Sequence, residues 1–205
     1  MTAIFKHKYF AFALTIMIVT LPLLLVIMQQ QQEIRGRAQA STTLSYSPTS
    51  TSTSPIIKKV GEPINLDLMV NPGINLVSLV KLEITYDSTK LKPSANPVSI
   101  NQTLFPNIIE GPVYSPGKIQ VVLSVGPDLT KSVGQTSRVA TLNFDTIASS
   151  GQTLVSFGTN TSISSVAVND SISENVLSTT SPAYITITKA KGGTGGSGGK
   201  GKPSR

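Results

Sequence analysis

The 205-residue sequence predicts an all-β protein, a two-sheet β-sandwich of about nine strands preceded by one N-terminal transmembrane helix. Three observations lead there. Between residues 56 and 188, apolar and polar side chains alternate in short runs, the period of a half-buried strand, with no sustained helical period. Turn signals such as Asn71-Pro72-Gly73, Pro116-Gly117 and Gly126-Pro127 separate the runs. A long uncharged apolar stretch, residues 9–28, lies outside them.

Along the chain, residues 1–8 carry Lys6, His7 and Lys8, which favour a cytoplasmic N-terminus. Residues 9–28, YFAFALTIMIVTLPLLLVIM, would form a helix about 30 Å long, enough to match a bilayer core. Pro22 is tolerable there because a spanning helix re-satisfies the freed carbonyl locally. The run exceeds the apolar core of a cleaved signal peptide, and about ten polar residues separate it from the small-x-small pattern Ala38-Gln39-Ala40. We expect a retained signal anchor that displays the remainder outside the cell membrane. Cleavage near Ala40, giving a secreted protein, is the alternative.

Residues 29–55 read as a stalk, since ASTTLSYSPTSTSTSP is too poor in apolar residues to offset the entropy of ordering it. The sandwich is expected over residues 56–188. Ile64, Leu66, Leu68 and Val70 form one inward row, and Val80, Leu82, Ile84 and Tyr86 another. Ile119, Val121, Leu123 and Val125 follow, then Ala140, Leu142 and Phe144, then Val155 and Phe157, and last Ile185 with Ile187. Strands with one apolar face must pack as two facing sheets, because a single sheet leaves that face in water. Residues 189–205 are a Gly/Lys-rich flexible tail.

At the break Tyr86-Asp87, an inward Tyr closes the core edge and Asp87 accepts backbone N–H groups of the next turn. Leu91 then re-enters the core, and Pro93 keeps the following residues off a central strand, so the chain crosses to the other sheet there.

The formal charge of +7 belongs to the chain ends. Residues 1–55 contribute +3 and residues 189–205 contribute +5, whereas residues 56–188 hold eight bases and nine acids. A nearly neutral folded part without a basic cluster excludes nucleic-acid binding by the sandwich. The chain has no cysteine and one histidine, His7, so zinc sites and histidine- or cysteine-dependent catalysis lack their groups. No glycine-rich phosphate loop follows a strand, and no dense acidic loop matches an EF-hand. We therefore expect no enzyme, no catalytic residue and no metal ligand.

The order of parts resembles the cohesin domain, over nearly all of residues 57–188. Its pieces are VGEPINLDLMV, the Tyr-Asp-ended strand LVSLVKLEITYDSTKL, GKIQVVLSVG, GQTSRVATLNFDTIASSGQTLVSF and the closing AYITIT. The resemblance implies a jelly-roll sandwich related to cellulose-binding modules. It also implies a non-catalytic surface module that holds a dockerin-type protein, or polysaccharide, with calcium entering only through a dockerin-type partner and no cofactor of its own. The outward strand positions Lys81, Glu83, Lys118, Gln120 and Ser124 are the candidate binding residues. Leu79 and Lys81 stand where cohesins usually carry small polar or acidic residues. A carbohydrate-binding module and a structural envelope or adhesion protein are the alternatives. Against the first stands the absence of Trp, with Tyr114 and Tyr184 the aromatics outside the inward rows.

Overall fold

The structure is a computed structural model that describes residues 40–147, 150–166 and 172–189, together with Thr20 and Pro22. The expected membrane helix and C-terminal tail lie outside the described residues, apart from Thr20, Pro22 and Lys189. Among the described residues no helix is long and apolar enough to cross a membrane.

The strands in order are β1 (Thr42–Ser47), β2 (Ile56–Lys59), β3 (Pro63–Asn71), β4 (Val77–Tyr86), β5 (Leu91–Ile100), β6 (Asn107–Ser115) and β7 (Lys118–Ser124). There follow β8 (Ser137–Thr146), β9 (Gly151–Phe157), β10 (Ser162–Val166), β11 (Ile172–Asn175), β12 (Leu177–Thr180) and β13 (Ala183–Thr188). One 3-10 turn, Leu129–Lys131, interrupts them. Five strands form one sheet in the order β12-β1-β3-β8-β5. The other sheet has eight: β11-β10-β4-β9-β13-β2, with β7 on β4 and β6 outside β7.

The alternation seen in the sequence builds the core. Leu66, Leu68, Leu142 and Phe144 of the five-stranded sheet and Val80, Ile84, Leu123 and Ile185 of the eight-stranded sheet are fully buried in one cluster. Each such side chain removed from water contributes about 1.5–3 kcal/mol, so the paired inward rows are what hold the sheets face to face. Tyr86 closes the cluster's edge with its ring 5.0 Å from that of Phe144. Asp87 Oδ1 accepts the backbone N–H of Thr89 at 2.9 Å and its hydroxyl at 2.6 Å. Leu91 is buried, but the chain changes sheets at residues 87–90, ahead of the expected Pro93: β5 pairs with β8 from Leu91 onward as an edge strand, which tolerates Pro93 beside a bulge that runs to Val98.

Two boundaries differ from the sequence expectation. The described residues hold thirteen strands where about nine were expected: β2, β11 and β12 are four-residue pieces with too few positions to show a period, and β1 lies in the expected stalk. The second difference is larger. Residues 42–47, assigned to the stalk, are β1, paired antiparallel with β3 and parallel with β12. Thr42, Leu44 and Tyr46 point inward and are buried. Thr42 is tolerated there because its hydroxyl donates to the carbonyl of Pro72 at 3.0 Å. The Tyr46 ring stacks on Phe157 at 4.7 Å between centroids. Ser/Thr content alone does not make a segment a stalk when every second residue finds a core to enter.

Candidate protein-binding face

The outward residues of the eight-stranded sheet follow from register, since directly opposed residues share a face. Across β4 and β7, Leu79 lies opposite Ser124, Lys81 opposite Val122, Glu83 opposite Gln120 and Thr85 opposite Lys118. Beyond β7, edge strand β6 adds Asn107 beside Ser124, Glu110 beside Val122 and Val113 beside Gln120. On the other flank, Ser162 and Ser164 of β10 continue the rows of Lys81 and Leu79. All five residues singled out in the sequence thus stand on one face.

They are not one cluster. Glu83, Lys118 and Gln120 meet directly: Glu83 Oε2 accepts Lys118 Nζ at 3.2 Å and Gln120 Nε2 at 3.0 Å. Lys81 is exposed one row away, and Ser124 turns its hydroxyl to accept the backbone N–H of Gly126. A fourth member was not read from the sequence: Asn160 Nδ2 donates to the same Glu83 oxygen at 2.9 Å.

Glu83 is nearly buried although it faces outward, because the chain folds over it between β9 and β10. Those two strands pair in turn with the same side of β4, Phe157 opposite Ile84 and Ser162 opposite Lys81. The link between them straddles Glu83: Gly158 donates its N–H to the Glu83 carbonyl, and the Thr161 hydroxyl donates to that carbonyl at 3.0 Å while accepting the Glu83 N–H. A β-carbon on Gly158 would collide with the Glu83 side chain, so a larger residue there would push the carboxyl from its place. The outcome is a fixed anionic hub, the Glu83 side chain 5% exposed and that of its partner Lys118 41% exposed.

Half-buried Val122 lies one row from this hub and exposed Val113 stands beside Gln120, with half-buried Leu79 two rows along β4. A face with an ordered polar centre, apolar neighbours and exposed Lys81 and Glu110 matches the anatomy of a protein-binding patch. The Tyr114 ring, 46% exposed, stands opposite inward Ile119 and so lies off the outward rows. No exposed aromatic platform for sugar stacking lies on the β4–β7 rows. Among the described residues no three His, Cys, Asp or Glu side chains are grouped to hold a metal ion.

Three carboxylates are held below their ordinary pKa. For Glu83 the Asn160 amide is the largest cause; the loss of water opposes it, and Lys118 and Gln120 reinforce it. For Asp87 the causes are the Thr89 hydroxyl and N–H, then Lys90; Asp128 has the same arrangement with Thr130 and Lys131. A carboxylate whose folded pKa is depressed contributes stability that is complete above its unfolded pKa and lost as pH falls through the folded one. We expect the urea midpoint to hold from neutrality to about pH 5 and to fall below about pH 4. A midpoint that rises on acidification would contradict these contacts.

Two facing sheets of these orders define a two-sheet β-sandwich. Its fold is that of the cohesin modules. The solution structure of the cohesin CaCohA2 from Clostridium acetobutylicum has 20% sequence identity and a TM-score of 0.55, matching 71% of this chain and 91% of its own. The seventh ScaB type I cohesin of Pseudobacteroides cellulosolvens gives 12% identity and a TM-score of 0.58, over 73% of this chain and 94% of that one. A type I cohesin–dockerin complex from Clostridium thermocellum gives 12% identity and 0.57, over 75% and 97%. No protein-family model and no curated protein sequence matches the chain.

Proposed function

We propose that this chain is a non-catalytic binding module that holds a dockerin-type protein on the outer face of β4 and β7, displayed outside the cell on the anchor of residues 9–28. The observation that carries the reading is the Glu83 hub, a pre-ordered polar centre on an open sheet face whose outward rows also hold Val122, Val113 and, farther along β4, Leu79. Similar folds have been solved in complex with dockerins, which supports a partner of that class. Lys81 and Lys118 supply the outward cations of the central rows, so specificity follows from where the partner places its acids and carbonyls. Calcium enters through the partner.

The test is to immobilise the chain and titrate it with calcium-loaded dockerins, with and without a chelator, in parallel with binding to insoluble polysaccharide. Calcium-dependent capture that weakens roughly tenfold in Lys81→Glu supports the reading. Retention on polysaccharide alone favours a carbohydrate-binding module instead, and the absence of both favours a structural envelope role.

A further inference from the structure

The turn between β3 and β4, residues 72–76, combines a rigid backbone with two large apolar side chains left in the open. Gly73 has φ +64°, and a β-carbon there would lie 2.8 Å from the carbonyl and hydroxyl oxygens of Ser41. Asn75 is 5% exposed and donates to Ser41 Oγ and Thr42 Oγ1, each at 3.0 Å. The turn is thereby fastened to the point where the chain enters β1. On either side of buried Asn75, Ile74 is 73% exposed and Leu76 50%, Ile74 being the most exposed large apolar residue among those described. The backbone contacts need neither side chain, and although Leu76 Cδ2 lies close to Gly134, half of Leu76 and most of Ile74 stay exposed.

Their neighbourhood does. Ser41 is preceded by residues 29–40 and, before those, by the apolar run 9–28. Twelve residues span at most about 40 Å, and these carry Arg35 and Arg37, which suit anionic headgroups. The end of the sandwich that bears Ile74 and Leu76 is therefore the end tied to that run. We propose that Ile74 and Leu76 form a tip that dips into the lipid headgroup region and fixes the orientation of the sandwich on the bilayer. The proposal rests on the reading of residues 9–28 as a retained anchor. Tethering supplies a high local concentration, so a patch of two side chains suffices although it would not recruit a free protein. Strands β3 and β4 then lead away from the bilayer and carry the Glu83 face clear of it.

The chain has no tryptophan, so Ile74→Trp or Leu76→Trp provides a single emitter. Each is reconstituted as the full chain in phosphatidylcholine–phosphatidylserine vesicles, with Ser88→Trp, in the turn at the far end of β4, as the control for the affinity of Trp itself. We expect blue-shifted emission and about twofold quenching by brominated lipid at positions 74 and 76, and neither at 88. Flotation of the chain with the vesicles reports the anchor separately. A chain that floats with unquenched Trp at 74 and 76 overturns the tip and leaves the anchor standing; one that does not float overturns both. Blue-shifted emission without lipid quenching overturns the tip in favour of a protein contact or a second copy.

Discussion

A fragment beginning at residue 56 will not fold, whereas one beginning at Ala40 will unfold cooperatively in urea. Strand β1 lies inside the five-stranded sheet, hydrogen-bonded to β3 on one side and β12 on the other. Its removal takes Leu44 and Tyr46, 0% and 2% exposed, out of the core, strips β12 of its strand partner and bares one edge of β3. Cavities of that kind cost about 2–5 kcal/mol each, against a total domain stability of about 5–15 kcal/mol. The loss of Ser50 adds to this, because its hydroxyl accepts the N–H of Tyr184 in β13 at 2.8 Å. Far-ultraviolet circular dichroism and urea titration of the 40–189 and 56–189 fragments decide the matter. Equal midpoints would show that β1 is an accessory.

Glu83→Ala will abolish partner binding and lower the melting temperature, while Glu83→Gln will fold nearly as well yet bind at least roughly tenfold more weakly. One carboxylate oxygen is the common acceptor for Lys118, Gln120 and Asn160. With alanine, three donors lose it together and the space beside Gly158 empties. With glutamine the shape remains, but Lys118 loses its counter-charge and swings free, so the face loses its fixed cation. A double-variant cycle with Lys118→Met separates the ion pair from the rest of the hub. If Glu83→Gln binds like the parent chain, the hub is scaffolding and the contact lies elsewhere on the sheet.

Much of this was legible because a strand has a period of two. Once Val80, Leu82 and Ile84 are placed inward, Lys81 and Glu83 must face out, and the same logic sends Lys118 and Gln120 outward on β7. Register then brings Glu83 opposite Gln120, a step alternation alone does not fix. Asn160 was illegible for the opposite reason: it sits in the break between β9 and β10, where the chain has no period. The cue was Phe157-Gly158, an apolar strand end followed by the smallest residue, which marks a close backbone approach only after the fold is known. Strand β1 was hidden by composition, since Thr42 is buried through its hydrogen bond and leaves only two apolar residues in the inward row.

The placement of β1 also decides how the molecule answers tension. A tug arriving through Ala40 while a captured partner pulls on the opposite sheet runs lengthwise down β1, and the rungs on its two flanks must rupture together instead of peeling apart one by one. Strands loaded in shear yield late, so in a tethered chain with a bound partner β1 would serve as the towline.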